Sequence, residues 1–111
     1  MSMTTLDVIN NHLRAFPEGI DPIMEDFSEE SVIITAEATY RGLEEVRSFF
    51  TTLIKSLPEG FMEAIHVERL EVADELAILL WEAKPWLPFC TDTFLVRNGK
   101  IVYQTFAAYQ G

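Results

Sequence analysis

The sequence predicts one α+β domain, with helices in the first half of the chain and an antiparallel sheet in the second. Apolar residues recur at helical spacing up to residue 57, and the period changes towards two from Phe61 onwards. Turn-forming residues divide this second half into segments of strand length. A chain of 111 residues, 49% of them apolar and 12% aromatic, supplies one hydrophobic core and is too short for two.

The first two helices are predicted from caps and apolar spacing. Thr4 and Thr5 are both suitable N-caps for the first helix. Its apolar stripe repeats every three or four residues and consists of Leu6, Ile9, Leu13 and Phe16. Pro17 and Gly19 end this helix. Asp21-Pro22 begins a short second one, because proline is favoured at the first helical position.

A strand and a third helix follow. The β-branched run over residues 31–36 predicts the first strand. Tyr40-Arg41-Gly42 then turns the chain into a helix with a wide apolar face, which Pro58 and Gly60 close.

The remaining strands are predicted at residues 62–72, 76–84, 89–96 and 101–109. Asn98-Gly99 between the last two is a strong hairpin signal, since both residues tolerate positive φ. The predicted order is therefore α-α-β-α-β-β-β-β.

Charge and cysteine content exclude several classes of function. A formal net charge of −10 argues against nucleic acid and anionic membranes as partners, because both require a cationic surface. No apolar run approaches the roughly 20 residues of a membrane span. Cys90 is the single cysteine and needs no oxidising compartment, so we expect a cytoplasmic protein. Two distant histidines give no metal-ligand spacing, and separate turn glycines form no phosphate loop, so neither metal nor cofactor is expected.

The strands of the predicted meander are apolar on both faces, so both faces of the sheet must be covered. Helices cover one face. A second copy of the chain is the expected cover for the other, which predicts a homodimer through the outer sheet face.

Three stretches together carry a family resemblance. They are Ala15-Phe16-Pro17-Glu18-Gly19, the helix entry Tyr40-Arg41-Gly42-Leu43-Glu44-Glu45-Val46, and the turn Asn98-Gly99-Lys100-Ile101 before an aromatic strand. The chain resembles the nuclear transport factor 2-like superfamily, in its SnoaL-like polyketide cyclase and ketosteroid isomerase branch. The resemblance covers nearly the whole chain and implies a single domain over residues 1–111. In it a cone-shaped curved antiparallel sheet wraps around three helices and a small-molecule pocket.

The function that this resemblance implies stays open between catalysis and binding. The superfamily includes isomerases, cyclases, dehydratases, epoxide hydrolases and modules that only bind or assemble. The first alternative is a cofactor-free cyclase, isomerase or dehydratase that acts on a small apolar carbonyl compound. The second is a non-catalytic module that binds a ligand or protein through the cone mouth or the outer sheet face.

Strand pairing suggests where polar groups meet. If the two hairpins are symmetric about Asp74 and Leu87, His66 lies opposite Glu82, and Glu82 lies opposite Asp92. Directly paired residues share a face of the sheet, so the three side chains are expected in one polar row. A carboxylate there would be desolvated, which raises its pKa and prepares it for acid–base work.

The resemblance implies particular roles for these residues. Asp92, by its spacing back from the Asn98-Gly99 turn, resembles the protonated aspartic acid of ketosteroid isomerase and the acid–base aspartate of polyketide cyclases. The isomerase base would fall near Thr35, which cannot abstract a carbon-bound proton, so steroid isomerisation is not expected. A cyclase-like or dehydratase-like reaction needs fewer groups, and Asp92 with His66 would serve as its catalytic pair. His12, nearest in position to the isomerase tyrosine, is expected to face solvent.

The pocket implied by the resemblance is lined by Tyr40, Trp81, Glu82, Phe94, Phe106 and Phe16. Purely structural alternatives remain for several of these residues. His66 lies on a strand rich in glutamate and would fit a solvated acidic face, and Glu82 would fit a surface ion pair with Lys84. The apolar hairpin tip, residues 86–89, is expected to pack over the cavity or against a neighbour.

Overall fold

The computed structural model describes residues 3–109 and confirms the predicted α+β class. Its helices are α1 (Thr5–Ala15), α2 (Ile20–Met24), α3 (Gly42–Ser56) and α4 (Phe61–Ala64). Its strands are β1 (Phe27–Thr35), β2 (Thr39–Arg41), β3 (Ile65–Ala73), β4 (Leu76–Ala83), β5 (Leu87–Arg97) and β6 (Lys100–Tyr109). The short β2 was not predicted, and α4 replaces the predicted start of a strand.

Local capping chemistry fixes the first helix. The Thr4 hydroxyl accepts a hydrogen bond from the Asp7 amide, and the Asp7 carboxylate accepts one from the Thr4 amide. This reciprocal pair satisfies two amides that lack a partner inside the helix. After α1 the chain makes one 3-10 turn over Phe16–Glu18 before α2 begins. Both helices present their buried side to the sheet.

The six strands form one sheet in the order β2-β1-β6-β5-β4-β3. Four neighbouring pairs are antiparallel, but β1 and β6 run parallel. The sheet is therefore mixed: the meander from β3 to β6 is antiparallel as predicted, and β1 adds to it in parallel with β6. Because β1 and β6 are distant in sequence, helices and strands intervene and no hairpin sets their relative direction.

Bulges bend this sheet around the helices. The pairing register shifts within β3, between Val67 and Arg69, and again between β4 and β5, at Trp81 and Ala83. A third shift lies between β5 and β6, where Val102 of β6 is the extra residue opposite Leu95 and Val96. Each bulge kinks its strand and increases the local twist, which curves the sheet into an unclosed cone. The concave side holds the core, where the fully buried residues include Ile9, Ile23, Ile33, Val46, Phe50 and Phe94.

The first and last hairpin turns of the meander agree with the sequence prediction. Asn98 and Gly99 both have positive φ, of 52° and 75°, as a tight turn of this kind requires. Asp74 in the turn between β3 and β4 also has positive φ. Phe27 is the first residue of β1 and is buried in the core. None of the helices within residues 3–109 is long and apolar enough to cross a membrane.

Candidate functional site

A cavity of about 230 Å³ lies between the helices and the concave face of the sheet. Side chains from α1, α3, α4 and strands β3 to β6 line it, and most of them are apolar or aromatic. Three polar side chains contribute to the lining: His12, Asp92 and Gln104. In small-molecule sites of proteins, a few polar groups in apolar surroundings typically fix the orientation of a bound compound, and this cavity has that composition.

Asp92 lies on β5 with only 6% of its surface exposed. Its two carboxylate oxygens have separate partners. Trp81 Nε1 donates a hydrogen bond of 2.7 Å to Oδ2, and Gln104 Nε2 donates one of 3.0 Å to Oδ1. Burial raises the pKa of Asp92 to about 6, against the lowering effect of these two hydrogen bonds. The carboxyl group therefore changes its protonation state close to neutral pH.

The alternation of β5 explains why this carboxylate points inwards. Cys90, Asp92, Phe94 and Val96 are buried, whereas the residues between them are more exposed. Asp92 pairs with Leu79 on β4 and with Phe106 on β6. Trp81 and Gln104 lie two residues away on those strands, hence on the same face. Both neighbouring strands therefore present a donor to the carboxylate.

His12 is the second titratable group of the cavity, and the expectation that it faces solvent is wrong. It is 6% exposed, and its imidazole makes edge contacts with Phe27, Phe50 and Phe94 at centroid distances of 5.8, 5.9 and 5.6 Å. Within residues 3–109, its Nδ1 atom is buried and has no hydrogen-bond partner. Burial lowers the pKa of His12 to about 4, so the ring is neutral at pH 7.

The sequence did contain a signal for the position of His12. It follows the buried Val8 and Ile9 by four and three residues, which places it on the same helical face. The prediction that His12 faces solvent followed instead from its polar neighbours Asn10, Asn11 and Arg14.

Gln104 is a site residue that the sequence analysis missed. Its side chain is buried, and its Oε1 atom has no hydrogen-bond partner among residues 3–109. It pairs with Phe94 on β5 and with Ile33 on β1, two core residues. The signal was the strand period of two, since Gln104 precedes Phe106, a predicted pocket residue, by two positions.

The predicted polar row of His66, Glu82 and Asp92 is not formed. His66 lies opposite Glu82 as predicted, but Asp92 lies opposite Leu79. The second hairpin is centred near residue 85 and not at Leu87, because Ala83 pairs with Leu87. A bulge separates this pair from the next one, Trp81 with Cys90. The resulting register shift is odd, and an odd shift exchanges the faces of a strand. Glu82 and Asp92 therefore point to opposite sides of the sheet.

His66 and Glu82 belong to an outer cluster of charged side chains. The His66 side chain is 67% exposed, with Nε2 at 3.6 Å from a Glu68 carboxylate oxygen. Glu82 lies 3.5 Å from the Lys84 ammonium group. Neither residue lines the cavity. The structural alternative for Glu82, an ion pair with Lys84, is the arrangement found.

The other predicted pocket residues divide into two groups. Phe16, Trp81, Phe94 and Phe106 line the cavity. Tyr40 does not, because it lies on β2 and packs against Phe49 with ring centroids 4.8 Å apart.

Residues of the hairpin tip border the cavity. Leu87 contributes to its lining, and Trp86 packs against Phe61 with ring centroids 5.9 Å apart. Phe89 remains exposed beside Tyr109, its partner on β6.

Among residues 3–109, histidine, cysteine and carboxylate side chains form no group of three or more that could hold a metal ion.

Comparison with known proteins identifies the fold through structure alone. No family model matches the sequence, and no curated protein matches it. An NTF2-like protein of unknown function from Burkholderia xenovorans superposes with a TM-score of 0.77 at 17% identity, over 96% of this chain and 84% of that one. A proposed polyketide cyclase from Sinorhizobium meliloti gives 0.73 at 16% identity, over 95% and 100% of the two chains.

A third structure was solved with a small molecule bound. It is a protein of ketosteroid isomerase-like fold from Catenulispora acidiphila in complex with trimethylamine. It superposes with a TM-score of 0.72 at 13% identity, over 96% of this chain and 88% of that one. The protein therefore has the nuclear transport factor 2-like fold, as the sequence resemblance implied. Identities this low show the fold and leave the activity to be argued from the site.

Proposed function

We propose that the protein binds a small, largely apolar carbonyl compound in the cavity and acts on it by cofactor-free acid–base chemistry. Asp92 is the acid–base group of this proposal. The observation that carries it is the position of Asp92, a carboxylate inside an apolar cavity with a pKa raised to about 6. A fold neighbour that holds trimethylamine supports the general ability of this fold to take up small molecules.

The chemistry follows from the two protonation states of one carboxyl group. As a carboxylate, Asp92 takes a proton from the carbon beside the carbonyl, and the electrons of the broken C–H bond form an enolate. As a carboxylic acid, Asp92 returns the proton to oxygen or to another carbon. If the enolate is conjugated to a C=C bond, protonation at the far carbon gives an isomer. Attack of the enolate carbon on a second carbonyl forms a C–C bond and a ring, and Asp92 protonates the resulting alkoxide. If a β-hydroxyl is present, Asp92 protonates it as the C–O bond breaks, which gives an alkene and water. In each case Asp92 returns the proton that it took, so no cofactor or oxidant is needed.

Fixed hydrogen bonds suit Asp92 to this task. Trp81 and Gln104 hold one carboxylate oxygen each, so the group keeps its orientation while the substrate changes. The sequence analysis paired Asp92 with His66, but the exposed position of His66 leaves it no role in the present proposal.

The test is hydrogen exchange in deuterated water. Small cyclic and aryl ketones incubated with the protein are followed by proton NMR for loss of the signal beside the carbonyl. The wild-type chain is expected to accelerate exchange for at least one compound, and Asp92→Asn is expected to abolish it. Asp26→Asn is the matched control, because Asp26 is equally buried, has a pKa also raised to about 6, and lies outside the cavity. Equal exchange with the wild type and Asp92→Asn would contradict the proposed catalysis.

The second candidate is a non-catalytic binding module, favoured by the exposed aromatic residues at one end of the sheet. Trp86, Phe89 and Tyr109 all leave large apolar surfaces in solvent. In this case Asp92→Asn retains binding of a ligand or partner, while Trp86→Ala or Phe89→Ala reduces it. Intact binding in both alanine variants would contradict this candidate.

We also propose that the protein is a cytoplasmic homodimer joined through the outer sheet face. Two rows of paired residues cross that face from β4 to β1. They are Ile78, Thr93, Thr105 and Ile34 in one row, and Leu76, Leu95, Tyr103 and Val32 in the other. Ile78, Leu76, Tyr103 and Ile34 are exposed in the single chain. Sedimentation should give a dimer for the wild type and for Trp86→Lys, and a monomer for Ile78→Lys; a monomeric wild type would contradict this proposal.

A further inference from the structure

Some polar atoms of the cavity lining have hydrogen-bond partners and others have none. The hydrogen-bond donors of Trp81 and Gln104 are both directed to the Asp92 carboxylate. Three buried side-chain atoms lack a hydrogen-bond partner among residues 3–109, and two of them belong to residues that line the cavity: Nδ1 of His12 and Oε1 of Gln104. The third, Oδ2 of Asp26, lies outside the cavity. A buried polar atom without a hydrogen-bond partner is energetically unfavourable, so a bound molecule that supplies the missing partner gains affinity there.

Among residues 3–109, the surroundings of His12 leave its Nδ1 atom without a hydrogen-bond partner. Its ring is packed against the edges or faces of Phe27, Phe50 and Phe94, which offer no strong hydrogen-bonding atoms. Gln104 pairs directly with Phe94 across β5 and β6, so His12 and Gln104 both adjoin this phenyl ring. The two residues with unsatisfied atoms thus line the same cavity and share Phe94 as a neighbour.

We propose that the ligand is an apolar molecule that carries a hydroxyl group, and that His12 is the residue which recognises this hydroxyl. The inference rests on the proposed function and specifies the substrate class of the same cavity. A hydroxyl fits His12 in either neutral tautomer, because it donates through its hydrogen and accepts through its oxygen. It also suits Gln104 Oε1, which only accepts hydrogen bonds. A carbonyl group, which only accepts, would leave Oε1 unsatisfied.

The charge state of the site agrees with a neutral hydroxyl. Burial among aromatic rings lowers the pKa of His12 to about 4, so its imidazole is uncharged at pH 7. A neutral imidazole offers one donor and one acceptor nitrogen and gives no ion pair to an anion. The protein as a whole carries −10, which repels anionic compounds during approach.

Benzene and phenol are the probes that isolate this contact, because they differ by one hydroxyl. Apolar protein cavities of about 150 Å³ hold benzene, so a cavity of about 230 Å³ has room for either. Calorimetric titration of the wild type is expected to show phenol bound about tenfold more tightly than benzene, the effect of one hydrogen bond. His12→Leu should abolish or reverse this preference while benzene is still bound. His12→Asn should keep part of the phenol preference, because the side-chain amide nitrogen of asparagine is bonded to Cγ, as Nδ1 of histidine is.

The outcomes separate this inference from the proposed function. An unchanged phenol preference in His12→Leu would overturn the role of His12, and so would a preference lost in Asp92→Asn but kept in His12→Leu. If neither probe binds the wild type, the ligand cavity of the proposed function falls together with the inference. A measurement on the wild type avoids any folding defect of the variants. Phenol should shift the ¹⁵N resonance of His12 and leave that of the exposed His66 unchanged; equal signals with and without phenol would overturn the inference.

Discussion

Trp81 Nε1 lies 2.7 Å from Oδ2 of Asp92 and donates a hydrogen bond to it inside the cavity. The two residues come from neighbouring strands, and the pairing of Asp92 with Leu79 places the indole diagonally beside the carboxylate. The indole ring also lines the cavity and stacks against Phe106 with centroids 6.2 Å apart. One side chain therefore both orients the carboxylate and shapes the space for a ligand.

Removal of this donor should raise the pKa of Asp92 further. Trp81→Phe retains an aromatic ring but lacks the N–H group, so the carboxylate loses one of the two hydrogen bonds that stabilise its charged form. A ¹³C NMR titration of the Asp92 carboxyl carbon should show a higher midpoint in Trp81→Phe than in the wild type. Trp86→Phe is the control, since Trp86 lies at the exposed hairpin tip. An identical midpoint in Trp81→Phe would contradict the role assigned to the hydrogen bond.

Neutralising Asp92 should stabilise the fold above pH 6. The carboxyl group binds its proton more tightly in the folded chain, with a pKa of about 6 against 3.8 for an unperturbed aspartate. The free energy of unfolding therefore falls as the pH rises from about 4 to about 6, and the loss persists above that range. Asp92→Asn removes this loss. The unfolding free energy of the variant, taken relative to that of the wild type, should therefore be about 1–3 kcal/mol higher at pH 8 than at pH 4. Gln104 can rotate its amide so that Oε1 accepts from the new asparagine.

Urea denaturation of both proteins at the two pH values measures this gain. Asp26 makes a contribution of the same sign, and it cancels in the difference between wild type and variant. A stability difference between the two proteins that is equal at pH 4 and pH 8 would contradict the buried charge of Asp92.

Replacing His12 should make the fold less sensitive to acid. Burial lowers the pKa of His12 from 6.5 to about 4, so below pH 6.5 the unfolded chain takes up a proton that the folded chain does not. Stability is therefore lost as the pH falls from about 6.5 to about 4. At pH 5 this loss is about 2 kcal/mol, and His12→Leu should remove it.

To test this, the change in unfolding free energy between pH 7 and pH 5 is measured for the wild type and for His12→Leu. His66→Leu is the control, because its side chain is exposed and the loss caused by His12 should stay in place. An equal fall in stability in wild type and His12→Leu would show that His12 is not buried as a neutral ring.

A core substitution beside the site should test the packing that holds it. Phe94 is fully buried and contacts both the His12 ring and the cavity. Phe94→Ala should lower the unfolding free energy by about 3–5 kcal/mol, since the cavity grows and the phenyl contacts are lost. Tyr109→Ala, at an exposed strand end, is the comparison. A loss below about 1 kcal/mol in Phe94→Ala would contradict the tight packing described here.

Elements set by local chemistry were predictable, and those set by distant contacts were not. The Thr4 cap and the Asn98-Gly99 turn depend on a few neighbouring residues, and both form as predicted. The parallel contact of β1 with β6 depends on strands distant in sequence, and the wide turn before Leu87 conceals the register of β4 and β5. An odd register shift there was enough to separate Glu82 from Asp92.

The candidate site was predictable to a similar extent. The burial of Asp92 follows from the alternation of β5, which the sequence contains. The place of His12 required both its helical face and the knowledge that the sheet folds over that face. Bulges supply that curvature, and no short sequence pattern marks them here.

The measurement that tests the central claim most directly is the titration of the Asp92 carboxyl carbon in the wild-type protein by ¹³C NMR. A carboxylate buried in the cavity and held by Trp81 and Gln104 should titrate with a midpoint near pH 6. A midpoint at or below 3.8, the ordinary pKa of an aspartate, would show that burial does not raise the pKa of Asp92 and would contradict its role as the acid–base centre of the cavity.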